Sequence, residues 1–410
     1  MNTSIKFKPT SEHKVLRDPV HGYIHVHHQV IWDLINSPEF QRLRRIHQLG
    51  GTNQVYHGAE HSRFSHSVGV YEVVRLMIEN VNGLSDTLSD LEHIALLCAG
   101  LLHDVGHGPF SHAFESVTSV NHEKFTDRII LEDTQVHKIL VEAHPELPQL
   151  VADIIAHRHS RKLLTQIISS QLDADRMDYL LRDSYFTGVS YGEFDLSRIL
   201  RTLIVIDDKL VVKESGIHAV EDYIMARYQM YWQVYLHPTS RSFEMILFAI
   251  FERMKDLVHE GKALGNELSF FKPFVSGGEI STQEHFELDE STCYAGFMSL
   301  TKSKDPILKD LALRLLNRKL FKYEDLESSQ QFDAIKERVQ SAGFDNRYYV
   351  ISDQQSQILY SPYVENGEEG LWVVLKNGTL VELTSASSIV RGFATGEKKQ
   401  DEKIFYPEEV

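Results

Sequence analysis

The chain has 410 residues, 42% hydrophobic and 24% charged, with a formal net charge of −16. Those proportions fit a globular protein of one large or two to three ordinary domains. The acidic excess excludes broad, sequence-independent nucleic-acid binding, which rests on neutralising phosphates.

The opening MNTSIKFKPTSEHK contains no apolar run, and no window approaches 18 uncharged apolar residues, so neither secretion nor membrane spanning is expected. Residues 1–260 read as mainly helical. Ser37-Pro38-Glu39 supplies an N-cap, a proline at the first helical position and an early acid, and Phe40, Leu43 and Ile46 then recur at threefold spacing. Periodicity predicts further helices over about 66–80, 91–104, 121–131, 148–157, 173–183, 217–236 and 239–260. One interruption, LIVIDDKLVVKES, predicts a β-hairpin turning at Asp207-Asp208. From 261 the character changes: GKALGNELS and KPFVSGGEIST are loop-rich, and 305–341 returns to helical spacing. LWVVLKNGTLVEL reads as two strands around Asn377-Gly378, taken as a two-residue turn with positive φ. The expected architecture is a helical domain over 1–260 and a smaller mixed α+β lobe over 261–410. Cys98 and Cys293, the two cysteines, imply no disulfide framework and fit a reducing, cytoplasmic setting.

The chemistry concentrates in LLHDVGHGPFSH, residues 101–112. His103 and Asp104 end a buried helix, Gly106, Gly108 and Pro109 terminate it, and a new helix starts near Ser111. Buried imidazoles need partners, and this N/O mixture suits a divalent ion. HSRFSHSVGVYEVV adds His66, three residues after Arg63. SQLDADRMDYLLRDS adds Asp175, with Tyr179 and Asp183 at i+4 and i+8 on one helix face and Arg176 at its edge. Arg227, Tyr231 and Tyr235 share another helical stripe. RLRR at 42–45 and RHSRK at 158–162 read as solvated helix faces, and His13, His25, His27, His28, His57 and His259 receive no role.

The order His66 … His103-Asp104 … Asp175 resembles the H…HD…D signature of the HD-domain metal phosphohydrolases. FQRLRRIHQLGG, GAEHSRFSHSVGVYE, NHEKF, DADRMDYLLRD and ARYQMYWQVY extend the likeness. Together they resemble the deoxynucleoside triphosphate triphosphohydrolases related to the animal SAM- and HD-domain enzyme, its bacterial members most of all, over about 14–260. The resemblance implies an HD-domain helical bundle in which His66, His103, Asp104 and Asp175 hold one divalent ion. Fe, Mn, Zn, Ni and Mg all suit that set, and further Mg can arrive with the nucleotide. His112 with Glu115 then acts at the α-phosphate, and His107 and His122 bind phosphate. Arg63, Arg176, Tyr179 and Arg227 hold the triphosphate. Gln48, Leu49 and Asp183 contact the sugar, and Tyr231 and Tyr235 complete that pocket. The implied products are deoxynucleoside and inorganic triphosphate. Allosteric relatives are homo-oligomers, dimeric or tetrameric, activated by a nucleotide between subunits. Lys14, Val15, Asn36, Gln41 and Arg44 match a first effector pocket and Arg198 a second. Asn36 stands where guanine-selective relatives carry Asp, and Arg17 where the animal enzyme has Asn. Two rival readings remain: another HD phosphohydrolase, acting on nucleoside monophosphates, cyclic nucleotides or guanosine tetraphosphate, and a nucleotide sensor with vestigial activity. Gln48-Leu49, Asp183 and the Arg227 stripe weigh against the first, and the intact ligand set with His112 against the second. His61, two residues before Arg63, is a further pocket candidate.

Overall fold

Ser89 starts the helix around which the molecule packs. Its hydroxyl accepts the Glu92 N–H, and the Glu92 carboxylate accepts the Ser89 N–H in return. Every residue from Ile94 to Leu102 of helix Asp90–Leu102 is buried, so neighbours must enclose it on all sides. Helix Arg63–Asn80 lies against it, and helix Ala174–Thr187 packs on Arg63–Asn80 in turn. The second contact is close: a Cβ on Gly69 would stand 1.9 Å from Asp178 Oδ1 and 2.3 Å from Arg182 Nη2.

The structure is a computed structural model and describes residues 7–118, 121–262, 264–357, 370–395 and 399–410. It is mainly helical with a smaller α+β C-terminal part. The predicted helices are present as Arg63–Asn80, Asp90–Leu102, His122–Leu131, Leu147–Ile155, Ala174–Thr187, Ile217–Met230 and Pro238–His259. Ser37 caps Pro38–Arg42 by accepting the Phe40 N–H. The run read as one helix over 217–236 changes to a π-helical turn at Tyr231–Tyr235, closed by Leu236 N–H to the Tyr231 carbonyl at 2.9 Å. In the predicted hairpin, Leu203–Ile206 pairs with Lys209–Lys213, and Asp207 and Asp208 both take positive φ, 49° and 59°.

Two readings need correction. The chain begins with a hairpin, β1 (Pro9–Asp18) and β2 (Gly22–His28), in a stretch of the mainly helical region where no strand was expected. Its alternation is genuine, with Ile24 and Val26 in the core and Tyr23 and His27 outside, but five histidines mask it by supplying polar residues on both faces. The Asn377-Gly378 turn is three residues long: Leu375 N–H bonds the Thr379 carbonyl, and of the pair Gly378 alone has positive φ, 85°. That geometry needs one left-handed residue, which glycine supplies without cost.

Two apolar cores result. The first joins the helices above, the inner face of β1–β2 and, from the far end of the chain, Val373, Leu383 and Val390. Trp372–Val374 pairs in parallel with Lys209–Lys213, which draws that segment onto the N-terminal helices. The second core lies along Pro238–His259 and includes Phe251, Phe271, Phe297, Leu311 and Tyr348. Among the described residues, no helix is long and apolar enough to cross a membrane.

Gly69→Ala is expected to lower the unfolding free energy by about 2–3 kcal/mol, read as a fall in urea midpoint. Neither Asp178 nor Arg182 can retreat without losing the other.

Candidate metal centre and phosphate pocket

His66 lies one turn into Arg63–Asn80, and His103 closes Asp90–Leu102 at its C-terminal end. His66 Nδ1 is 2.8 Å from Asp178 Oδ2, and His103 Nδ1 is 2.9 Å from the Gly100 carbonyl. Each Nδ1 faces an acceptor and so carries its ring's proton, which leaves the neutral ring a bare Nε2. The two Nε2 atoms face each other at 3.2 Å. Asp175, in the first turn of Ala174–Thr187, puts Oδ1 3.0 Å from His66 Nε2 and 3.5 Å from His103 Nε2. Two lone pairs and a carboxylate aimed at one point repel unless a cation joins them. Donors ~2.1 Å from one ion stand roughly 3.0–3.4 Å apart at octahedral to tetrahedral angles, so the residues fit a divalent metal. Asp104 borders the same point, with Oδ1 3.5 Å from His103 Nε2 and Oδ2 3.8 Å from His66 Nε2.

Asp104 also begins a second group, with His107 and His122. His107 Nε2 is 3.4 Å from Asp104 Oδ1, the His107 and His122 rings stack at 3.8 Å, and His122 Nδ1 meets Glu115 Oε1 at 2.5 Å. Burial and then the Arg63 charge hold His107 well below the usual imidazole range, so it is neutral. Burial pushes Asp104 up, but His103, Arg63 and His107 outweigh it and hold the carboxyl well below its ordinary value. Arg63 ties the parts together, pairing Nη1 with Asp104 and Nη2 with Ser111 Oγ at 2.7 Å. His112 stands in the first turn of helix Ser111–Thr118; its side chain lies outside those described.

The loop between these groups is fastened by Arg42, which is buried and not on a solvated face as the RLRR reading expected, and by His285 and Glu290, to which the sequence reading gave no role. Buried Arg42 donates to the carbonyls of His107 at 2.8 Å and Leu288 at 2.7 Å, and His285 Nε2 contacts the Gly106 carbonyl at 2.8 Å. Glu290 Oε1 accepts the N–H of His47 at 2.9 Å and of Phe110 at 3.2 Å. Phe110 and Ser111 hold positive φ, 56° and 52°, a conformation that needs such support in non-glycine residues. Asp178 was also passed over, although its i,i+4 spacing to Arg182 was a visible signal.

On the pocket's other side, Asp183 is held at both oxygens, by His61 Nε2 at 2.7 Å and by the Tyr235 hydroxyl at 2.8 Å. Tyr179 lies between this pair and the metal ligands, 6.1 Å from the Tyr235 ring and 6.4 Å from the His66 ring. Gln48 bonds the His61 carbonyl through its N–H at 2.9 Å, while its buried Oε1 has no protein partner. Leu49 follows, half-buried. Arg176 Nε is 3.1 Å from Asp173, whose carboxyl burial pushes up to about 7 against the Arg176 charge. Arg227 Nη1 donates to Gln171 Oε1 at 3.2 Å. The π-turn breaks the α-helical register between Arg227 and Tyr235, and the Tyr231 ring lies edge-on to Trp232 at 5.4 Å.

Of the residues matched to effector pockets, four gather about helix Gln29–Ile35. Lys14 lies over the Trp32 ring, Asn36 donates to the Trp32 carbonyl, Gln41 donates to the Ile35 carbonyl, and Arg44 Nε donates to Gln41 Oε1 at 2.9 Å. Val15 is exposed on β1. Arg17 covers the Tyr23 ring. Arg198 stands apart on Leu196–Thr202, bonded to the Ser215 carbonyl.

His103→Ala and Asp175→Ala are each expected to abolish retention of the metal, measured as bound metal after dialysis. A pH test is also available. Burial opposes charge on His66, but bonds to Asp175 and Asp178 outweigh it and raise its pKa to about 10. In metal-stripped protein this group's stabilisation is complete below about pH 6.5 and is lost as pH rises toward 10. Added metal must displace that proton, so affinity for the ion should climb with pH over the same window. Thermal melts with and without Mn(II) across pH 6–10 read both.

Comparison with known proteins agrees with this geometry. The HD domain matches residues 63–183, and the HD associated region matches 194–268. The uncharacterised Bacillus subtilis protein YwfO is 47% identical over 407 residues, covering 98% of this chain and 93% of its own. A Dictyostelium discoideum homologue of the deoxynucleoside triphosphate triphosphohydrolase SAMHD1 is 30% identical over 298 residues, 68% of this chain and 57% of its own length. Among solved structures, a Bacteroides thetaiotaomicron phosphohydrolase superposes with a TM-score of 0.85 at 30% identity, over 97% of this chain and 100% of its own. The four ligand candidates fall inside the matched HD region, and the chain belongs to the HD-domain phosphohydrolase family, in the group related to the SAMHD1-type enzymes.

Proposed function

We propose that the protein hydrolyses deoxynucleoside triphosphates to deoxynucleoside and inorganic triphosphate, using a divalent metal held by His66, His103, Asp175 and Asp104. One observation carries the reading: a single helix, Ala174–Thr187, presents the metal ligand Asp175, the cation Arg176 and, two turns on, the clamped carboxylate of Asp183. A metal, a phosphate-binding cation and a hydroxyl-reading acceptor on one wall suit a substrate with phosphate at one end and sugar at the other.

In this reaction a water oxygen bonds the α-phosphorus, the bond from phosphorus to O5′ breaks, and O5′ gains a proton. A divalent ion held by these residues would supply positive charge to the phosphate oxygens and acidify the attacking water. The protein supplies the rest. Arg63 is buried with Nε unpaired by protein, and Arg176 and Arg227 extend the cationic wall. Neutral His107 can accept a hydrogen bond, and His122 is oriented by Glu115. Asp183 has its acceptor direction fixed by His61 and Tyr235, and the open Oε1 of Gln48 provides a second acceptor for a sugar hydroxyl. Activation by a second nucleotide between subunits, at the Lys14, Val15, Asn36, Gln41 and Arg44 group, belongs to the same proposal, as does assembly into a homo-oligomer.

The test is product analysis with each of the four deoxynucleoside triphosphates, alone and in pairs, across Mn, Fe, Zn, Ni and Mg. Deoxynucleoside and triphosphate are the expected products, released faster when a second nucleotide is present. Monophosphate with pyrophosphate, or orthophosphate alone, would sink the reaction; unchanged rates in every pair would sink the activation.

A further inference from the structure

We propose that the turn of the N-terminal hairpin is a working part of the metal centre: His21 is a positioning residue that fixes Asp178 and, through it, the ring of His66. This rests on the reading of His66 as a metal ligand and on no assumption about the substrate.

The Asp178 carboxylate is saturated by four donors. Oδ1 meets His21 Nε2 at 2.6 Å and Arg182 Nη2 at 2.9 Å; Oδ2 meets His66 Nδ1 at 2.8 Å and Arg182 Nε at 2.9 Å. Arg182 continues to Asp18, 2.8 Å from Nη1 to Oδ2 and 3.3 Å from Nη2 to Oδ1. Asp18 Oδ1 in turn accepts the N–H groups of Val20 and His21, both at 2.9 Å, and shapes the turn that delivers His21. The whole ring is buried, with Asp178 and Arg182 at 0% exposure and the His21 side chain at 4%.

The hairpin does not need this ring to stay attached. Ile24 and Val26 are buried in the first core, and the Tyr71 hydroxyl donates to the His25 carbonyl at 2.9 Å. The His21 contact serves the carboxylate instead. A carboxylate that holds the far nitrogen of a ligating histidine sets its tautomer and ring angle, and losing such a partner typically costs 10–100-fold in metal affinity or activity. Removing His21 takes the shortest of its four contacts from Asp178 and leaves Oδ1 with Arg182 alone, which loosens the carboxylate that orients the His66 ring.

The experiment uses the full chain and compares wild type, His21→Gln and His21→Asn by competition of Zn(II) and Mn(II) against a chromogenic chelator, with melting temperature measured alongside. Glutamine can reach Asp178 with an N–H and asparagine is too short, while both place an amide in the same pocket. The expected result is metal affinity near wild type for the glutamine variant and lower by several-fold, up to about tenfold, for the asparagine variant, because Asp178 keeps its bond to His66. Equal affinity in all three, equal losses in the two variants, or lowered melting with unchanged affinity would each overturn the role of His21. Absence of bound metal on the wild-type chain would instead overturn the metal centre, and this inference with it. Hydrolysis of some other phosphate ester would leave it standing.

Discussion

Two imidazole nitrogens held 3.2 Å apart with their lone pairs converging form an arrangement that water would dissolve and only a rigid frame can keep. The frame is the pair of helices Arg63–Asn80 and Asp90–Leu102, whose burial leaves their histidines little room to turn. Each ring is then locked from behind, His66 by a carboxylate and His103 by a carbonyl of its own helix. The apolar core therefore has an electrostatic purpose: it keeps these groups converged, joined by the His66 proton in the metal-free protein and by an ion that displaces it.

The second requirement is the sorting of cations within an acidic chain. Arg182 and Arg42 are spent on the frame, one bonding Asp178 and Asp18, the other binding the carbonyl of His107 and those of His285 and Leu288 in the C-terminal part. Arg63 stands between frame and pocket, because it pairs with Asp104 and also suppresses the charge on His107. Two basic groups so close cannot both be protonated cheaply, and the guanidinium keeps its proton. A neutral imidazole, kept so by burial and by the neighbouring guanidinium, resists taking a proton and offers a hydrogen bond where the phosphate would sit.

The C-terminal part matters to the site although its own sequence shows no chemistry. His285 and Glu290 meet the loop of residues 106–110 and the chain at His47, and Leu288 binds Arg42, which bonds the same loop. They hold two successive left-handed residues, Phe110 and Ser111, at the entrance to the helix that carries His112. The loop's shape is thus decided jointly by segments about 180 residues apart in the chain.

Much was legible in the sequence by itself. Apolar periodicity and capping residues determined most helices, because those signals are local and a helix satisfies its own backbone. The cluster of His66, His103, Asp104 and Asp175 stood out as candidate metal ligands because few other roles bring histidine and aspartate to buried helix ends. The first hairpin escaped, since its histidines hid a two-residue alternation, and the Asn377-Gly378 turn was read one residue short because pairing across a turn depends on both strands. Only the tertiary structure decided that Asp178 faces His66, that His61 and Tyr235 share Asp183, and that His21 closes the ring from the first turn of the chain. Those contacts join residues 52 to 157 positions apart. A hydrogen bond between distant segments leaves no spacing pattern in a single sequence, and which acceptor a buried donor finds is settled by how the helices pack.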